Sequence, residues 1–253
     1  MSIMLTAHGP VLDMPTRLDF HDDSYKTSAV AYVDNFVEDE RFGCCAVLSN
    51  TIFYPQGGGQ KGDRGSLVVA DHSAAGGVTA PSIGVVDTRK SGDCVLHVLD
   101  RASVQAVGRT DLQSLVGSQI TLRINWEFRL RQMRLHSIAH LIHFFTEKAL
   151  KRPLPYPSSS DLIDGAGVNR YDEPVILPHN FSADVLERMC EYLQMNIPIS
   201  TNPDETHAGF RYWKCGDYIV PCGGTHLRNT SEVGPFNVDA SITKGKLSIK
   251  FSV

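Results

Sequence analysis

Short apolar runs bounded by turn residues fill the first half of the chain, and a long helical period opens the second. Ala29–Val33 and Cys44–Leu48 flank the charged stretch Glu38–Arg41, the pattern of two strands joined by a hairpin. Further runs follow at Ser66–Ala70, Ile83–Asp87, Cys94–Leu99 and Ile120–Ile124. Spaced short strands with glycine turns predict a small β-barrel or sandwich over residues 28–124. Within it, Ser73–Gly77 reads as a flexible insertion and Leu112–Val116 as a helical turn. Met4–Pro10 has no period and His21–Ser24 reads as a turn, so residues 1–27 are an N-terminal extension.

Asn125 is placed to cap a helix that starts at Trp126, runs about 25 residues and ends before Pro153. Phe128, Met133, Ala139, Leu141, Ile142 and Phe145 give it an apolar surface. Residues 153–180 read as irregular, with Pro153, Pro155 and Pro157 alternating before Ser158–Ser160. A long polar loop between two elements of one domain is often part of a site. A second helix is expected over Ala183–Met195, capped by Ser182 and stopped before Pro198. Strands are expected at Gly209–Trp213 and Tyr218–Val220, then a hairpin of Phe236–Ser241 and Leu247–Phe251 around Lys244–Lys246. The fold class is α+β, with a β-barrel domain at 28–124 and an α+β domain at 125–253.

Composition narrows the class without naming a function. A chain of 253 residues with 42% hydrophobic and 21% charged residues has the make-up of an ordinary globular protein. No segment approaches the roughly 18 consecutive apolar residues of a membrane helix, and Met1–Pro15 lacks the pattern of a secretory signal. Cys44, Cys45, Cys94, Cys190, Cys215 and Cys222 show no framework spacing, which points to thiols in a reducing intracellular compartment. The net charge of −4 divides into −5 up to Leu115 and +1 from Val116 onward. Any RNA-binding surface must therefore be a local patch.

The candidate chemistry lies in the long helix. His136 and His140 stand one turn apart and face the same way, so both can grip one metal ion. About eighty residues later, Cys222-Gly-Gly-Thr-His226 offers a thiolate and a third imidazole on a tight turn. Three imidazoles and a thiolate favour zinc over magnesium or calcium. Structural zinc modules usually pair cysteines as C-x-x-C, which does not occur here, so a catalytic zinc is the better reading. Four protein ligands would close a tetrahedral site, so one must sit back or the coordination must expand when substrate arrives. Ser137 stands where H-E-x-x-H peptidases carry glutamate, which removes that reading. His143 shares the face of the pair, while His72, His97, His179 and His207 have no recruiting spacing. Gly57, Gly58 and Gly59 allow close backbone approach, but the Gly-Lys-Ser/Thr ending of a P-loop is absent. Arg129, Arg131 and Arg134 lie near the histidines, and Lys148, Lys151 and Arg152 follow them, as a solvated face or as phosphate contacts.

Together these motifs resemble the zinc editing site of alanyl-tRNA synthetases and their free-standing AlaX-type relatives. His136-x-x-x-His140 and Cys222-x-x-x-His226 carry the resemblance, joined by Phe53–Gln60 with Asp63 and Gly65. Trp126, Arg129, Met133, Arg134 and the run Pro221–Thr230 with Gly234 extend it over residues 28–253. No ATP-binding or aminoacylation module fits this length, so a trans-acting form is expected. The resemblance implies a cytoplasmic hydrolase that frees tRNA-Ala from a wrong amino acid, serine first and glycine second. It implies one zinc ion on His136, His140, Cys222 and His226. Gly57, Gly58, Gly59 and Gln60 would shape the site from the barrel side, and Ser158 would meet the amino acid. Arg129, Arg131, Lys148, Lys151 and Arg152 would contact tRNA. The Gln-x-Gly-Ser segment of the synthetases corresponds only loosely to Pro157–Asp161. Two alternatives stand beside this reading: a non-catalytic tRNA-binding module with a structural zinc, and threonyl-type editing of Ser-tRNA(Thr).

Overall fold

The computed structural model describes residues 15–69, 82–163, 165–207 and 209–253. They form two compact units, one of the described residues up to Pro55 plus Gly62–Asn125, the other of Gln56–Lys61 plus Trp126–Val253. Met4–Pro10 and Ser73–Gly77 lie outside the described residues.

The first unit comprises β1 (Arg17–Leu18), β2 (Ser28–Asp39), β3 (Gly43–Leu48), β4 (Asn50–Thr51), β5 (Gly65–Val69), β6 (Ser82–Ser91), β7 (Cys94–Leu99), α1 (Arg101–Val107), α2 (Arg109–Ser114) and β8 (Gln119–Ile124). Ala29, Ala31 and Val33 of β2 are buried while Ser28, Val30 and Tyr32 face outward, the two-residue period of a half-buried strand. The first part of β2 pairs with β8 and its second part with β3, both antiparallel. Continuing through β7, β6 and β5 back to β8, six strands close into a barrel and leave no unpaired edge. β7 is buried along its whole length. Part of the expected N-terminal extension belongs to this unit: β1 pairs in parallel with β4, and Phe20 is buried. Helix α1 has no counterpart in the apolar pattern. Its start is chemical, since the Asp100 carboxylate accepts the Ser103 N–H at 2.8 Å.

The second unit comprises α3 (Trp126–Leu150), β9 (Ser159–Ile163), β10 (Ala166–Pro174), α4 (Phe181–Gln194), β11 (Ile199–Pro203), β12 (Arg211–Cys215), β13 (Tyr218–Pro221), β14 (Asn237–Thr243) and β15 (Lys246–Ser252). Two antiparallel sheets result, in the orders β14-β15-β10-β9 and β11-β12-β13. Leu135, Ile138, Leu141 and Ile142 bury α3 on several sides, which makes it a central element rather than a surface helix. Lys244 and Gly245 both take positive φ between β14 and β15, as a two-residue type I′ hairpin requires. Among the described residues no helix is long and apolar enough to cross a membrane.

Two expectations are corrected here. Residues 153–180 are not irregular, because β9 and β10 pair across them. The inward face of β10 is Gly167, Asn169 and Tyr171, a small, a polar and an amphipathic residue, so no hydrophobic alternation betrays the strand. A Cβ on Gly167 would lie 2.3 Å from the Phe251 ring. Ser182 is not the cap of α4, which begins at Phe181; its hydroxyl accepts the Ala240 N–H at 3.1 Å instead.

His97 on β7 provides a test of the barrel core. Its Nδ1 donates to the Ala46 carbonyl at 3.1 Å, so Nε2 accepts the Thr51 hydroxyl at 2.7 Å. Burial lowers its pKa from 6.5 to about 4. The unfolded chain therefore binds more protons than the folded one between these values, and stability falls as pH falls through that window. His97→Gln is expected to be less stable at pH 7 but to lose less stability between pH 6.5 and 4, measured by urea unfolding. An identical pH dependence in variant and wild type would contradict this.

Candidate metal centre

His136 and His140 project from one face of α3, and Cys222 and His226 come from the loop after β13. That loop is anchored where the Cys222 N–H donates to the Arg211 carbonyl at 2.9 Å. One donor atom from each of the four residues lies within 4.8 Å of the others. Cys222 Sγ stands 3.5 Å from His136 Nε2 and 3.2 Å from His226 Nε2. Zinc–nitrogen and zinc–sulfur bonds give tetrahedral edges of about 3.3–3.6 Å, so these spacings suit one ion. His140 Nε2 is buried and makes no hydrogen bond, which fits a metal donor and not a satisfied core histidine.

Surrounding groups fix which nitrogen the His136 ring presents. The Thr225 N–H donates to Gln60 Oε1 at 3.1 Å, and Gln60 Nε2 donates to Thr225 Oγ1 at 2.7 Å. The amide oxygen therefore faces His136, whose Nδ1–H donates to it at 3.0 Å. This leaves the Nε2 lone pair of His136 free toward Cys222. His226 Nδ1 lies 3.2 Å from Ser137 Oγ, which also accepts the Leu227 N–H at 3.3 Å. The buried Trp213 ring backs His140 at 4.9 Å between centroids. Gly224 lets the loop lie flush on His136, since a Cβ there would come within 2.2 Å of the ring carbon Cε1.

Electrostatics hold the cluster in a donor-ready state. Burial keeps His136 neutral down to about pH 4, and burial with neighbouring imidazoles holds His140 and His226 well below 6.5. Burial pushes the Cys222 thiol up to about 11, against a smaller opposing pull from the Gly224 N–H. Three neutral imidazoles offer lone pairs at once, while the thiol needs a cation to give up its proton.

His136 and His140 open into a cleft of about 360 Å³ whose walls also include His143, Gly59, Tyr156 and Ser160. Gly58 and Ser158 also line it. Gly57 and Gln60 exchange both backbone hydrogen bonds, and Gly58 and Gly59 take φ of 56° and 86° between them. A Cβ on Gly59 would lie 2.6 Å from the Ser160 carbonyl oxygen. This turn belongs to the second unit, although its neighbours in sequence belong to the barrel. Gln60 is fully buried behind His136 and is not among the residues of the cleft wall. The Ser158 hydroxyl donates to the Arg170 carbonyl at 3.2 Å.

Ser160 carries a signal that the sequence did not expose. Asn169 Nδ2 donates to the Ala139 carbonyl at 2.9 Å, so its Oδ1 accepts the Ser160 hydroxyl at 2.9 Å. Ser160 Oγ is left with lone pairs only. Thr225 and Trp213 were also missed, although Thr225 sits inside the Cys222–His226 loop. The expected cationic contacts separate: Lys148 and Lys151 are exposed, Arg131 is half-buried, and Arg152 pairs with Glu173. Arg129 is corrected outright, since it is fully buried and offers no surface to a phosphate.

Metal retention reports whether Gln60 and Gly224 position His136. Removing an outer partner of a ligating histidine typically costs about 10- to 100-fold in affinity. Gln60→Ala and Gly224→Ala are each expected to weaken zinc binding by about that factor in competition with a chromophoric chelator, with the far-UV circular dichroism unchanged. Unaltered affinity in both would contradict the arrangement.

Residues 211–246 match the family described as Threonyl and Alanyl tRNA synthetase second additional domain. That segment holds Trp213, Cys222 and His226. Over 88% of its length the chain is 29% identical to an alanine–tRNA ligase of Saccharolobus islandicus and 28% identical to one of Metallosphaera sedula. Over 94% of its length it is 28% identical to an alanine–tRNA ligase of Ignicoccus hospitalis. It spans about a quarter of these relatives, 25%, 24% and 26% of their lengths. The chain is thus similar to alanine–tRNA ligases along most of its length, and its residues 211–246 resemble part of the second additional domain of threonyl and alanyl tRNA synthetases.

Proposed function

We propose that the chain is an AlaX-type, zinc-dependent aminoacyl-tRNA deacylase of the cytoplasm that acts in trans. Its substrate is tRNA-Ala carrying serine, with glycine as a second cargo. One observation carries the reading: two members of a cluster of three neutral imidazoles and a thiol, His136 and His140, face a cleft of about 360 Å³. A structural zinc needs no cleft, whereas here His136 and His140 are themselves part of its wall.

The reaction adds water to the ester carbonyl, breaks the bond to the ribose oxygen and returns a proton to that oxygen. His136, His140, Cys222 and His226 would hold the zinc, which would supply Lewis-acid polarisation and, with one ligand set back or the coordination expanded, activation of water. The chain's own part is positional. Gln60 holds the His136 imidazole in the required tautomer, Ser137 lies against Nδ1 of His226, and the Trp213 ring packs behind His140. Gly58 and Gly59 present backbone without side chains to the bound group. Ser160 Oγ, committed as a donor to Asn169, accepts from the ammonium or the hydroxyl of a seryl group. Lys148 and Lys151 are the exposed cations of the α3 end for tRNA phosphates.

The family matched by residues 211–246 covers threonyl as well as alanyl enzymes, so editing of Ser-tRNA(Thr) is the specific rival. The wild type is expected to release serine from Ser-tRNA(Ala) faster than from Ser-tRNA(Thr). His136→Ala should fall to the spontaneous rate while remaining folded. Faster release from Ser-tRNA(Thr) would favour the threonyl reading. An unfolded His136→Ala, together with no release by wild type from any mischarged tRNA, would favour a structural zinc.

A further inference from the structure

The cleft contains an aromatic surface that the hydrolysis of an ester does not use. Tyr156 is 58% exposed, and of the exposed aromatic residues Tyr32, Tyr156 and Phe210 it is the one that lines this cleft. Its ring lies against the His143 imidazole, 5.2 Å between centroids. His143 is itself held: it is buried, stacks on Tyr171 at 5.7 Å and 12°, and places Nδ1 3.2 Å from the Tyr171 hydroxyl. Pro155 and Pro157 flank Tyr156 and restrict its backbone. The ring is thus exposed and yet rigidly backed, which lowers the entropy lost when a planar partner stacks on it.

The His143 ring that backs Tyr156 stands on α3, the helix that carries His136 and His140. His143 lies three residues beyond His140, about 4.5 Å farther along the helix axis. His136, His140 and Tyr156 line the same cleft, so a ligand with its ester at the two histidines shares that space with the Tyr156 ring. The exposed Lys148 and Lys151 precede this segment and supply charge for a phosphate chain.

We infer that Tyr156 is the stacking platform for the terminal nucleobase of the acylated tRNA. The inference rests on the deacylase reading and deepens it by assigning the residue that recognises the nucleoside half of the substrate. Base–aromatic stacking is sequence-tolerant and is worth on the order of 5- to 150-fold in affinity when the ring is removed.

The test uses binding, which does not depend on turnover. Zinc-loaded protein is titrated calorimetrically with non-hydrolysable 3′-serylamino-3′-deoxyadenosine and with the corresponding serylamino methyl riboside, which has no base. Wild type should bind the adenosine ligand about 10-fold or more tightly than the riboside. Tyr156→Ala should abolish that difference without altering riboside affinity, while Tyr156→Phe and Tyr156→Trp retain it. Equal affinities in wild type, or an undiminished difference in Tyr156→Ala, would overturn the platform and leave the deacylase reading intact if serine is still released. Binding of neither ligand, with no serine released, would overturn both.

Discussion

The hydrogen bond from His136 Nδ1 to Gln60 Oε1 is the constraint on which the centre depends. It orients one imidazole, and through Thr225 it ties the loop bearing Cys222 and His226 to the same amide. One buried glutamine thereby connects a helix, a glycine turn and a cysteine loop. Buried polar atoms are costly unless each is paired, and here the pairing leaves the metal-facing lone pairs as the uncommitted ones. His140 Nε2, buried and without a hydrogen bond, is left for such a role.

Glycines then serve closeness at particular places. Gly224 removes the Cβ that would strike His136, and Gly59 removes the one that would strike β9. Both let backbone approach to distances no side chain permits. The result is a cleft with one wall of imidazoles, one of bare backbone and one of hydroxyls, with Tyr156 at its exposed side. Ser160 illustrates how distant pairing sets local chemistry, because the Asn169 amide converts a hydroxyl that could donate or accept into an acceptor.

Much of this was legible in the residues. The bounds of α3 followed from its apolar period and Pro153, and the two pairs of candidate donors stood out by their four-residue spacing. The strands of the barrel announced themselves by short apolar runs. β9 and β10 did not, because β9 buries only Leu162 and the face β10 buries is glycine, asparagine and tyrosine. The partnership of Gln60 with Thr225 spans 165 residues, and no local pattern encodes it. Arg129 looked like its neighbours in a basic stretch, yet its position on the helix turns it inward. Periodicity reports elements and short spacings report ligand pairs, while second contacts between remote polar groups require the fold.

The most direct test of the account is X-ray absorption at the zinc edge on the purified protein, with metal content measured in parallel. One zinc per chain with three nitrogen neighbours and one sulfur neighbour, the sulfur lost in Cys222→Ser, is the expected result. Zinc absent after metal loading, or bound without sulfur, would contradict a centre built from His136, His140, Cys222 and His226.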